Sequence, residues 1–267
     1  MKKKILYILF ILICLIGLFF SLYKIYIYKS EEDKTNKQIE EVQEVIEVEE
    51  VIDTPETEII EQEEVPPKSN PYWDYIGMNM INVNFNELKQ INSSTVGWIK
   101  VNGTNINYPF VQAKDNKYYL THSFDKFWNS AGWVFLDYRN TSTNNKNTII
   151  YAHGRLDKTM FGSLKNILKS GWLNDTKNYV VKISTENENT LWQVFSVYRI
   201  PTTSDYLKTE FNSDNEYIDF LNMLLNRSFH NFNTTISSND KILTLSTCYN
   251  DTDKVVLHAK LIKKETR

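Results

Sequence analysis

The sequence predicts a mostly β domain, a closed barrel or sandwich with helical additions, carried behind an apolar N-terminal segment. Three observations predict it. Short runs rich in Val, Ile, Tyr, Phe and Trp recur along the second half of the chain, separated by turn residues. An apolar run from Ile5 to Leu22 follows three lysines. Between them lies a strongly acidic stretch with no aromatic residue.

The apolar run is long enough to span a bilayer, so residues 1–29 read as a membrane anchor. A cleaved signal peptide is the other reading, but "GLFFSLYK" offers no A-x-A-like site. Lys2, Lys3 and Lys4 place the N-terminus in the cytoplasm, and the rest of the chain follows on the outside. Residues 30–69 read as a disordered acidic spacer. From Glu31 to Glu64 there are 15 acidic and 2 basic residues, and Pro66-Pro67 follow. Such self-repelling charge favours an extended chain. The Val/Ile spacing near three and four is the signal for the alternative, a helix or short coiled coil. On the first reading the spacer is only a tether, and a chain beginning near Asn70 should fold and act alone.

Residues 70–267 form the predicted domain. One or two short helices precede strands at Gly97–Val101 and "NINYPFVQ". Further strand signals are "AGWVFLDY", "NTIIYAH", "YVVKIS", "LWQVFSVYRI", "ILTLSTC" and "VVLHAKLIK". "DKTMFGSLKNILKSG" reads as a helix capped by Asp157 and stopped by Gly171, burying Met160, Phe161, Leu164, Ile167 and Leu168. "SDNEYIDFLNMLLNRSF" opens with a Ser213–Glu216 capping box and carries a stripe of Ile218, Leu221, Leu225 and Phe229. The basic excess of this part is small and scattered, which argues against nucleic-acid binding. No cluster of His, Cys and carboxylates has ligand spacing, so no metal and no cofactor is expected.

The domain has a single cysteine, Cys248, at the end of "KILTLSTC"; the chain's other cysteine, Cys14, lies in the apolar segment. No internal disulfide is then open to the domain, and an unpaired thiol outside the cell is exposed to oxidation. Burial or chemistry must account for it. A thiol nucleophile needs a base or a nearby cation. Of the four histidines, His153 ends the strand pattern "NTIIYAH" as Cys248 ends its own, with Gly154 allowing a sharp turn. His122 and His230 lie in turn-like sequence, and His258 inside a strand. Lys254 opens the next strand after a short loop and is the candidate cation beside the thiol.

These segments together resemble the class B sortases, membrane-anchored cysteine transpeptidases of Gram-positive bacteria. "TLSTC" looks like the family's TLxTC signature. "IIYAHGRLDKTMFGSLKNI", "GWVFLDYRN" and "VGWIKVNGTNINYPFVQ" resemble class B segments, over about residues 70 to 264. The resemblance implies a closed barrel of about eight strands, N-terminal helices and a helix before the cysteine strand. It makes Cys248 the acylating nucleophile and His153 the catalytic histidine. It also implies partners: secreted proteins with a C-terminal sorting signal, and an amine of a peptidoglycan precursor or a pilin. The chain departs from the family at one place. "DKVVLHAK" puts Lys254 where the family has arginine, so either Lys254 substitutes or Arg139, Arg155 or Arg199 reaches the site. The rival readings are a cysteine peptidase using water and a catalytically inactive surface-binding module.

Overall fold

The computed structural model describes residues 2–46, 48–51, 57–59, 75–141 and 145–267. A long helix α1 (Lys2–Glu44) leads into strands β1 (Val48–Val51), β2 (Thr57–Ile59) and β3 (Met80–Val83), then helix α2 (Asn86–Ile91). Strands β4 (Thr95–Val101), β5 (Asn107–Gln112), β6 (Phe135–Leu136) and β7 (Asn147–Tyr151) follow. A 3-10 segment (Gly162–Leu168) and helix α3 (Ser170–Leu173) lead to β8 (Val180–Ser184) and β9 (Glu188–Pro201). Helix α4 (Asp214–Arg227) precedes β10 (Ile242–Cys248) and β11 (Asp253–Thr266).

Eight of the strands close into a barrel in the order β10-β7-β6-β5-β4-β8-β9-β11, with β10 pairing β11 to complete the circle. Closure satisfies backbone groups that open sheet edges would expose. Most neighbours are antiparallel, but β5 with β6 and β7 with β10 run parallel. The core inside includes Trp98, Phe110, Val194, Val197, Leu245 and Leu257. On the outside, α4 covers Phe195, Tyr198, Ile242 and Val256 with Tyr217, Phe220, Leu221 and Leu224. Strand β9 is therefore buried on both faces, which is why "LWQVFSVY" reads as a continuous apolar run rather than an alternating one.

Several local expectations change. The acidic segment does not extend as a spacer from residue 30: α1 runs on to Glu44, and β1 pairs antiparallel with β3. Thr35 and Val42 are buried and Ile39 packs on the core, so the three-and-four spacing wins over charge repulsion by burying one face. The Pro66-Pro67 end of the spacer and Asn70 lie outside the described residues. Residues 157–171 are not one helix. Asp157 accepts from the Thr159 amide and hydroxyl in a turn, and Met160 adopts φ 50°. Gly171 lies within α3 rather than ending a helix. In α4, Ser213 does accept from the Glu216 amide, but the buried stripe sits nearer the aromatic residues than the sequence suggested; Phe229 is 53% exposed. The run "AGWVFLDY" contributes only the two residues of β6, and the stretch before Gly97, read as one or two short helices, also contains the strand Met80–Val83.

Because α1 and β1 pack on the domain, a chain starting at residue 70 loses the burial of Val42 and Ile46. It should unfold at lower urea than a chain starting at Ser30, by about 2–5 kcal/mol from two buried aliphatic side chains. Equal midpoints would show that the N-terminal segment contributes nothing to stability.

Candidate active site

The register of β10 assembles the site. Its antiparallel pairing with β11 sets Cys248 directly opposite Lys254. The short turn between them is held by Asn250, whose Oδ1 accepts from the amides of Thr252 and Asp253, and by the Tyr249 amide donating to the Asp253 carbonyl. The Lys254 ammonium Nζ lies 3.0 Å from Cys248 Sγ, and both residues are half-buried.

On the other side, β10 runs parallel to β7 with Ser246 opposite Tyr151. Two residues further along the chain in each case stand Cys248, at the end of β10, and His153, just past the end of β7. The chain ends are tied where the ladder stops: the Thr247 hydroxyl donates to the Ala152 carbonyl at 2.8 Å. Gly154 then passes so close to β10 that a Cβ there would lie 2.1 Å from the Cys248 carbonyl oxygen. Close approach, rather than a sharp turn, is what requires glycine. The His153 ring donates from Nε2 to the Leu120 carbonyl at 2.8 Å, which fixes its orientation and leaves Nδ1 as the basic nitrogen. The strand pattern itself stops at Tyr151, not at His153.

The other histidines are used elsewhere. His122 stacks on Tyr118, with ring centroids 4.0 Å apart. His230 bonds to the Tyr179 hydroxyl. His258 is fully buried between Tyr198 and Thr244, and burial pushes its pKa down to about 3, so it stays neutral.

The three arginines that could have supplied the cation all face carboxylates. Arg139 clasps Asp137 through two hydrogen bonds at 2.9 and 2.7 Å. Burial works against the Asp137 charge, but Arg139, Tyr151 and Asn116 together hold its pKa below the usual range. Arg155 pairs with Asp157. Arg199 pairs with Asp253 and lies 4.0 Å over the Tyr249 ring. Among the described residues, Lys254 has no carboxylate partner.

Three contacts at the site carried no signal in the sequence: the Thr247–Ala152 bond, the His153–Leu120 bond, and Tyr249, flanked by Arg199 and Lys165. Each depends on which strands neighbour one another.

A thiol held against an ammonium, with an imidazole on the adjoining strand end, is the equipment of a cysteine acyl-transfer enzyme. Comparison with known proteins narrows the class. Residues 99–262 match the model of the sortase domain family. The chain is 38% identical to sortase B of Staphylococcus aureus over 184 residues, covering 67% of this chain and 75% of that protein. It is 35% identical to sortase B of Listeria monocytogenes, covering 67% and 74%. The crystal structure of sortase B from Bacillus anthracis in complex with AAEK1 superposes with a TM-score of 0.68 at 34% identity, over 88% of this chain and 99% of that one. The chain belongs to the sortase family, and within it to class B. It is a cysteine transpeptidase, a family whose substrates carry sorting signals and whose acceptors are amines.

Gly154→Ala tests the close approach of the two strand ends. The added methyl meets backbone, so we expect about 1–3 kcal/mol of destabilisation in urea unfolding, as for other overpacked sites. Gly171→Ala, with nothing within 4 Å, serves as the control and should not destabilise.

Proposed function

We propose that Cys248 attacks the carbonyl of a Thr within the sorting signal of a secreted protein, with His153 and Lys254 as its partners. The observation that carries this reading is the 3.0 Å contact between Lys254 Nζ and Cys248 Sγ across the β10–β11 pair. The thiolate is the form that reacts, and the ammonium stands beside the sulfur that would carry its charge. As the tetrahedral intermediate forms, negative charge moves from sulfur to the carbonyl oxygen, and the same ammonium can follow it with little movement. His153 donates a proton to the leaving amine, and the thioester remains on Cys248. His153, now neutral, takes a proton from the incoming amine as it resolves the thioester. That amine belongs to a peptidoglycan precursor or a pilin lysine, so the product is a protein fixed to the cell surface.

Location supports the reading. Among the described residues, one helix is long and apolar enough to cross a membrane, beginning near the N-terminus. With Lys2, Lys3 and Lys4 on the cytoplasmic side, the catalytic domain works outside the cell, where secreted substrates and wall precursors meet.

Lys254 takes the family's arginine position with a point charge in place of a planar fork of donors. Losing an oxyanion donor costs about 10² to 10³ in rate, so Lys254→Ala and Lys254→Met should fall on that scale, and Lys254→Arg should retain or raise activity. Cys248→Ala should abolish transfer, and His153→Ala should lower it by at least about 10²-fold. The measurement is ligation of a peptide library to an added amine, with hydrolysis scored separately. Equal turnover by the Ala, Met and Arg variants would remove Lys254 from the mechanism. Release of acid at the same rate with and without amine would make water the acceptor.

A further inference from the structure

The pairing of Cys248 with a lysine has a chemical consequence that an arginine in the same place would not have. Arginine is always charged and never a nucleophile in proteins. A lysine amine, once it gives up its proton, is the same functional group as the acceptor that resolves a thioester. We infer that Lys254 is itself an acyl acceptor: an acyl group held on Cys248 moves from Sγ to Nζ and leaves the enzyme acylated on its own lysine. This rests on Cys248 being the acylated residue.

The geometry favours the step. Nζ lies 3.0 Å from Sγ, and the carbonyl carbon of a thioester is bonded directly to that sulfur. The amine therefore stands within reach of the near-attack separation of about 3–3.5 Å, at the high effective concentration of an intramolecular group. The two backbones are locked opposite each other by strand register and by the Asn250 turn. The flexible four-carbon stem supplies the small adjustment needed. Asp253, the nearest acid in sequence, is engaged by Arg199, and burial of its charge is outweighed by that guanidinium and by Thr252, which hold the carboxyl ionised. Once the sulfur is acylated it is neutral and no longer an ion-pair partner for the ammonium. Water reaches the half-buried pair and can take the proton.

The atoms balance without a further reactant. The Nζ lone pair attacks the thioester carbonyl and a C–N bond forms. The C–S bond then breaks, the Nζ proton passes to Sγ, and the products are a free Cys248 thiol and an amide on Lys254. The thioester is thereby consumed irreversibly. Productive transfer needs an external amine to arrive first, so an enzyme loaded in the absence of acceptor inactivates itself.

The test uses p-nitrophenyl acetate as the acyl donor on the full chain in detergent, without added amine. After denaturation, acetyl groups are mapped by peptide mass spectrometry with and without hydroxylamine, which cleaves thioesters and spares amides. We expect a labile acetyl on Cys248 that gives way with time to a resistant acetyl on Lys254. Lys254→Arg should keep the labile label on Cys248. Blocking the thiol with a methanethiosulfonate reagent should lower Lys254 labelling by at least about 10²-fold. Cys248→Ala should do the same, which checks that the reagent does not merely cover the amine. A wild-type label that stays a thioester overturns the inference and leaves the transpeptidase reading intact. So does equal labelling of Lys254 with and without a free thiol. Absence of acetyl from both Cys248 and Lys254 overturns both.

Discussion

The placement of strand β10 between a parallel neighbour and an antiparallel one is the constraint on which the rest of the site depends. The parallel pairing with β7 brings the carboxyl ends of two strands side by side, and so sets Cys248 beside the loop that holds His153. The antiparallel pairing with β11 turns the chain straight back, and so sets Lys254 across from Cys248. One strand thus carries the thiol and sets a lysine and the histidine loop, from different parts of the chain, beside it. The parallel pair is also the costly part. Parallel neighbours need a long crossover, and here that crossover contains β8, β9 and α4. The barrel must close before the site exists, and closure is what makes the register unique.

Electrostatics around the thiol follow from pairing. Arg139 and Arg155 are each matched by a carboxylate two residues away, and Arg199 by one across the β9–β11 pair. Burial tends to neutralise Asp137 and Asp157, but hydrogen bonds and the adjoining guanidiniums keep both ionised. These pairs are locally neutral and project little field toward the sulfur. The Lys254 ammonium is directed at Sγ, so the strand position that pairs with Cys248 carries a cation whether the residue is arginine or lysine. What the substitution changes is donor geometry and nucleophilicity rather than charge.

Much of the architecture was legible because local pattern and burial coincide. The strand runs from Thr95 to Gln112 and from Val180 onward are apolar because the barrel interior is, and the Ser213 cap is a local device readable from four residues. The α4 face was misjudged because its buried residues include Tyr217, whose ring is in the core while its hydroxyl donates to the Lys146 and Asp240 carbonyls. An aliphatic stripe does not reveal a tyrosine used in that way. The acidic segment was misjudged because charge count outweighed a sparse set of inward positions, Thr35, Ile39 and Val42. Cys248, His153 and Lys254 stood out as candidates because each sits at the end of a strand pattern. Their mutual placement did not, since sequence carries no direct mark of which strands become neighbours. The roles of Thr247 and Leu120 stayed invisible for the same reason, and Gly154 read as a turn glycine rather than a close approach: each contact involves a backbone carbonyl, which any residue could have supplied.

The continuity of α1 links the apolar segment to this site. The helix has no break between Lys2 and Glu44, and its later turns are held to the domain at successive levels. Gln38 accepts from the Phe124 amide, Thr35 accepts from Asn129, and the Tyr28 ring stands 5.1 Å from the Arg155 guanidinium. Tyr28 follows the end of the apolar run at Leu22 by six residues, about 9 Å of helix. Arg155 follows His153 by two residues. The part of the domain nearest the apolar segment is therefore the loop that carries the histidine, at the Cys248 end of the barrel. A flexible tether would leave the distance between that end and the apolar segment unspecified. A packed helix fixes it, because each contact along α1 removes a freedom that an extended acidic chain would keep. The same burial that overrides the charge repulsion of residues 31–44 thus also sets where the thiol stands relative to the N-terminal helix.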